Sequence, residues 1–126
     1  MKLNQVTVPS LAIEKALPFY ESLGFTPIVI ALPHYARLLC PDGSTTFSLH
    51  QVEKLPKGDG IVLYFECENL DEMVAALEEK GIAFTEPPTD KPWLWREAHL
   101  YDPDNNKLIL YYAGENRVNP PWRIST

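Results

Sequence analysis

Of the side chains in this 126-residue sequence that could move protons or ligate metals, four stand on strand-like runs: His50, Glu66, Glu97 and His99. Histidine is the side chain whose ordinary titration lies nearest neutrality. A carboxyl group beside it, if buried, acquires a pKa suited to accepting or donating a proton during a reaction. The same two imidazoles and two carboxylates are also nitrogen and oxygen donors of the kind a divalent cation takes. Near them in the pattern stand Tyr35, Arg37, Tyr64, Trp93, Trp95 and Tyr111, side chains suited to contact a flat or charged ligand. A plainer account exists for each residue singly, such as a pair between Arg37 and a glutamate that only satisfies buried charge.

The elements that position these residues are strands. Trp95 to Tyr101 and Lys107 to Ala113 alternate in character and flank Asp102-Pro103-Asp104-Asn105-Asn106. Proline presets its φ, and Asp and Asn tolerate positive φ, so the pentapeptide is a turn. Period-two alternation puts Arg96, Ala98 and Leu100 on one face and Glu97, His99 and Tyr101 on the other. Leu108, Leu110 and Tyr112 likewise oppose Ile109, Tyr111 and Ala113. Trp93 and Trp95 stack on a ligand or simply cover the sheet. Asp102 and Asp104 read as turn formers.

The pattern upstream occurs twice. Leu3 to Val8 reads as a strand, with Ser10 as the cap of a helix carrying Ile13, Ala16, Leu17 and Tyr20. Pro18 should bend that helix and Gly24 should close it. Strands follow at Phe25–Ile30, Tyr35–Cys40 and Thr45–Val52. After the linker-like Lys54–Gly60, a strand runs over Ile61–Cys67. A helix capped by Asn69 carries Leu70, Met73, Val74 and Leu77, and Gly81 ends it. A sixth strand begins over Ile82–Phe84, and the proline-rich Glu86–Pro92 reads as a loop. Gly24-Phe25 thus matches Gly81-Ile82, and Cys40-Pro41-Asp42-Gly43 matches Asp102-Pro103-Asp104-Asn105. This internal repeat predicts an α+β fold of two βαβββ modules, 1–53 and 60–113, with a tail over 114–126. The modules together make one domain, a curved mixed sheet around a cavity. Tyr35 and Arg37 become the repeat equivalents of Glu97 and His99. In the tail, Trp122 is too large and apolar to be left in water without cost, and it should dock on the other module or a partner subunit, or cover core edges.

Bulk properties narrow the function. A formal net charge of −6 argues against nucleic acid and anionic membrane surfaces. No apolar run is long enough to span a bilayer, and the N-terminus lacks the apolar stretch of a signal peptide. Cys40 and Cys67 form no disulfide or zinc framework. A cytoplasmic protein is expected.

The doubled pattern resembles the vicinal oxygen chelate superfamily of glyoxalases, extradiol dioxygenases, fosfomycin-resistance transferases and bleomycin-resistance proteins. The motifs that carry the resemblance are Phe19-Tyr20-Glu21-Ser22-Leu23-Gly24-Phe25, the turn Asp102–Asn106 (DPDGN in many members) and Trp93-Leu94-Trp95-Arg96-Glu97, similar to the WGxRE run of bleomycin-resistance-like members. Metal-using members draw ligands from the first, fourth, fifth and eighth strands. The matching positions here are Gln5, Ser48, Val62 and Ile109. Valine and isoleucine offer no lone pair and serine is a poor neutral ligand, so no metal is expected at the superfamily position. The resemblance implies a metal-independent, small-molecule-binding homodimer. The alternative is a lyase, isomerase or dioxygenase that uses His50, Glu66, Glu97 and His99 around a displaced divalent metal or as an acid–base set.

Overall fold

The computed structural model describes residues 1–58 and 60–124. In order the elements are β1 (Gln5–Ser10), α1 (Ile13–Ser22), β2 (Thr26–Ala31), β3 (Tyr35–Leu39), β4 (Thr46–Gln51), β5 (Val62–Glu66), α2 (Leu70–Glu79), β6 (Glu86–Asp90), β7 (Arg96–Tyr101) and β8 (Lys107–Tyr112). They form two separate four-stranded sheets, ordered β1-β4-β3-β2 and β5-β8-β7-β6. Each sheet has one parallel pair, β1 with β4 and β5 with β8, and two antiparallel pairs. The architecture is α+β.

The chain divides into two units. The first comprises Met1–Gly60 together with Asp102–Asn106, and the second Ile61–Tyr101 with Lys107–Thr126. In the first, α1 buries Ile13, Ala16, Leu17 and Tyr20. These join Phe25, Ala36, Leu38, Phe47 and Leu49 in the core. Tyr20 packs against Phe25 and Phe47 at ring-centroid distances of 5.5 and 4.7 Å. In the second unit α2 buries Leu70, Val74 and Leu77. Ala98, Leu100, Leu108 and Leu110 complete that core. The alternation in each strand thus sends one side-chain set to the helix. The other set, which holds the polar candidates, lies on the opposite face.

Both helices end in the same way. After α1, the Gly24 N–H donates to Glu21 O and the Phe25 N–H to Tyr20 O; after α2, the Gly81 N–H donates to Glu78 O and the Ile82 N–H to Leu77 O. This is the paired closing motif that needs a left-handed residue just past the helix. Gly24 and Gly81 supply it with φ of 97° and 91°. The first helix starts later than the sequence suggests. Ala12 is its N-cap, with no side-chain capping bond. Ser10 instead ends β1, where its Oγ accepts the Ala12 N–H at 3.3 Å. Pro18 is accommodated inside α1.

The sixth strand departs most from expectation. It is Glu86–Asp90, the stretch whose prolines read as a loop, and not Ile82–Phe84. Strand β6 lies at the sheet edge, so its prolines need donate to no further strand. The register with β7 also shifts between Glu86 and Thr89, where Pro87 and Pro88 fall. Strand β2 has a matching irregularity between Pro27 and Val29. The tail opens with a 3-10 turn over Gly114–Asn116. Within the single chain, Trp122 is 57% exposed. Among the described residues, no helix is long and apolar enough to cross a membrane.

Candidate functional site

The registers give the repeat a residue-by-residue form. Gln5 pairs with Thr46 and Thr7 with Ser48. At the same offsets, Val62 pairs with Lys107 and Tyr64 with Ile109. Arg37 sits opposite Ser48 as His99 sits opposite Ile109, and Tyr35 opposite His50 as Glu97 opposite Tyr111. Each unit therefore offers one corresponding set of positions on the sheet face away from its helix.

In the first unit this face carries a chain of polar groups. The Gln5 amide Nε2 donates to Ser48 Oγ at 2.9 Å. Ser48 Oγ lies 2.6 Å from the Tyr35 hydroxyl, and Arg37 Nε donates to that hydroxyl at 2.9 Å. Gln5 Oε1 accepts a hydrogen bond from the Thr46 hydroxyl. Ser48 is completely buried. Its hydroxyl, with help from the Arg37 guanidinium, holds the Tyr35 phenol below its ordinary pKa. The glutamate partner considered for Arg37 is absent among the described residues; its bond goes to Tyr35 instead. His50 is exposed on β4.

In the second unit, Glu97 is 97% buried and accepts from two rings: Trp93 Nε1 at 2.8 Å on one oxygen, and His99 Nε2 at 2.8 Å on the other. The second nitrogen of His99, Nδ1, lies 3.4 Å from Glu86 Oε2. Glu86 also pairs with Lys91, which holds its carboxyl below the usual range. Glu97 and His99 are thus brought together, as neighbours on one face of β7 must be. Glu66 belongs elsewhere. One of its oxygens accepts the Ala113 and Gly114 N–H groups at 2.9 and 3.0 Å, and the other lies 3.7 Å from Arg117 Nε. It fastens the end of β8.

The remaining positions form an apolar wall. Val62 and Trp95 pack on Ile109, Tyr111 and Ala113. Trp95 stacks on Tyr111 at 4.7 Å and an interplanar angle of 18°. Tyr64, half exposed, meets both rings edge-on. Burial raises the Tyr111 phenol above its usual pKa, so it stays a neutral hydroxyl. Trp95 Nε1 donates to Asn116 O at 3.3 Å, which ties the start of the tail to this wall.

These donors do not suit a metal at the superfamily positions. Val62 and Ile109 contribute only hydrocarbon, and Gln5 and Ser48 are hydrogen-bonded to one another. Among the described residues, no group of three or more His, Cys, Asp or Glu is placed to hold a metal ion. Sequence reasoning missed Glu86 and Lys91, because the prolines beside Glu86 hid its strand. It named Gln5 and Ser48 as superseded ligand positions without seeing the bond that joins them.

The chain belongs to the Glyoxalase/Bleomycin resistance protein/Dioxygenase superfamily, whose pattern matches residues 2–110. Its relatives include the uncharacterized YraH of Bacillus subtilis (strain 168), 30% identical in an alignment covering 88% of this chain and 98% of YraH. Among solved structures, a glyoxalase/bleomycin resistance protein/dioxygenase from Nocardioides superposes with a TM-score of 0.79 at 20% identity, over 99% of this chain and 90% of that one. A superfamily member from Sphaerobacter thermophilus DSM 20745 gives a TM-score of 0.72 at 27% identity, over 89% and 97% of the two chains.

Proposed function

We propose that this protein binds a small organic molecule without a metal, as the bleomycin-resistance branch of its superfamily does. The observation that carries the reading is the donor set. Two of the four positions from which metal-using members draw ligands are hydrocarbon packed against aromatic rings, and the other two are tied to each other. The stacked Trp95 and Tyr111 with the half-exposed Tyr64 support contact with a flat apolar group. Tryptophan fluorescence and equilibrium dialysis against a panel of aromatic and cationic drugs test it. Saturable binding that survives chelation and weakens in Trp95→Ala is expected. Stoichiometric zinc, nickel, manganese or iron in protein purified without chelator would overturn it.

A second reading rests on a different observation. His99 presents both ring nitrogens to carboxylates, one of them the buried Glu97. An imidazole so placed can pass a proton between them, which is acid–base chemistry without a metal. Turnover of a metabolite, lost in His99→Gln while ligand affinity persists, would favour the enzyme. In either reading we propose a homodimer acting in the cytoplasm. The dimer is supported by the edge strand β2, which leaves Ile28, Val29 and Ile30 exposed. The compartment is supported by the two free thiols. Light scattering should return twice the chain mass.

A further inference from the structure

The hydrogen inventory of the first unit's polar face says what it would bind. Between the Gln5 amide and the Arg37 guanidinium stand two hydroxyls, Ser48 and Tyr35. Gln5 and Arg37 both donate inward, one from each end. Each hydroxyl owns a single hydrogen. One of those two hydrogens makes the bond between the oxygens. The other has no acceptor within the chain of bonds.

Burial decides which hydroxyl keeps it. Ser48 is fully buried, so a hydrogen it directed elsewhere would meet no water. Ser48 therefore donates to Tyr35. The Tyr35 oxygen then accepts from both Ser48 and Arg37, and its own O–H points out of the network. That arrangement agrees with the lowered pKa of its phenol. Beside it, Arg37 spends only Nε on Tyr35, which leaves the two terminal nitrogens of the guanidinium. Among the described residues no carboxylate lies within ion-pair distance of Arg37. The other paired arginines contrast with it: Arg96 holds Asp71 and Asp90, and Arg117 faces Glu66.

From these observations we propose that Tyr35 and Arg37 form an anion subsite, taking the carboxylate of an organic acid. The guanidinium supplies the charge and a planar pair of N–H donors, which match a carboxylate edge. The Tyr35 O–H supplies a third donor. Ser48 and Gln5 are positioning residues that aim the phenol. The inference deepens the binding reading and rests on it, since Gln5 and Ser48 act here as hydrogen-bond partners.

The probes are acetate, benzoate and phenylacetate, each compared with its neutral amide. Binding is followed by NMR on the Arg37 side-chain and Tyr35 signals. At least one acid should saturate, and its amide should bind about tenfold more weakly, the usual worth of a charge-assisted bond. Arg37→Gln should abolish that preference. Tyr35→Phe should reduce it by about threefold to tenfold with the circular dichroism unchanged. Arg117→Gln, which alters an arginine paired elsewhere, should leave it intact. No saturation by any acid, or a preference that survives Arg37→Gln, would overturn the proposal. If drugs from the earlier panel bind while the acids show no preference, only this inference fails. A stoichiometric metal would defeat the binding reading itself.

Discussion

Tyr20 and Asp102 show how much one pair of residues carries. Tyr20 has no exposed surface, and its hydroxyl donates to Asp102 Oδ2 at 2.5 Å. Asp102 also accepts the Asp104 and Asn106 N–H groups and the Asn106 side-chain amide, at 2.8, 2.9 and 2.8 Å. Burial above all, then the charge of Asp102, pushes the Tyr20 phenol well above its ordinary pKa. The folded state therefore needs the neutral phenol. A raised folded pKa contributes stability that is complete below the unfolded value, about 10, and is lost as pH rises beyond it. Urea midpoints should fall from pH 9 to pH 11, and Tyr20→Phe should flatten that fall. At pH 7 the same variant should cost about 1–3 kcal/mol, because a buried carboxylate loses a donor. Cys40 behaves similarly. Burial pushes its thiol up to about 11, and Cys67 is raised for the same reason. Iodoacetamide at pH 8 should modify both cysteines slowly in the native protein and fast in urea. The sequence marked Asp102 as a turn former, which it is. Its bond to a tyrosine 82 positions away has no local signature.

At the scale of elements, the helix ends were the most legible feature, because a glycine past an apolar stripe has one efficient use. Gly81 has φ of 91° and open space where a Cβ would project. Gly81→Ala should therefore cost only the backbone strain, about 1 kcal/mol, read as a lower urea midpoint with an unchanged slope. The edge strand β6 was illegible for the opposite reason. Glu86-Pro87-Pro88-Thr89-Asp90 carries loop composition, and only its partner β7 makes it a strand. With it went Glu86, and so the second carboxylate on His99. Glu97 and His99 were found because alternation alone puts them on one face.

For the molecule as a whole, the doubled βαβββ pattern was readable in the sequence, and the two sheets have equivalent registers. The two halves nonetheless present different faces. One presents Gln5, Ser48, Tyr35 and Arg37, and the other Val62, Ile109, Tyr111 and Trp95. Strand periodicity places both sets on the same face of their sheets and does not encode which bonds each set makes. The first unit is also discontinuous, since it needs Asp102–Asn106. A fragment of residues 1–60 holds β1 to β4 and α1 but lacks the acceptor for Tyr20. It should show weak amide-exchange protection and no cooperative thermal transition. Adding the peptide 100–108 in trans should restore neither, because association adds an entropic cost that the intact chain avoids.

That discontinuity bears on how the protein emerges from a ribosome. Translation delivers both layers of the first unit long before it delivers the turn that completes it. Until Asp102 and Asn106 clear the exit tunnel, the Tyr20 phenol and the Pro9 carbonyl wait without the partners that the finished protein gives them. Nascent chains stalled before residue 102 should therefore be digested readily by protease, and chains stalled on a C-terminal extension that carries residues 102–106 clear of the tunnel should resist.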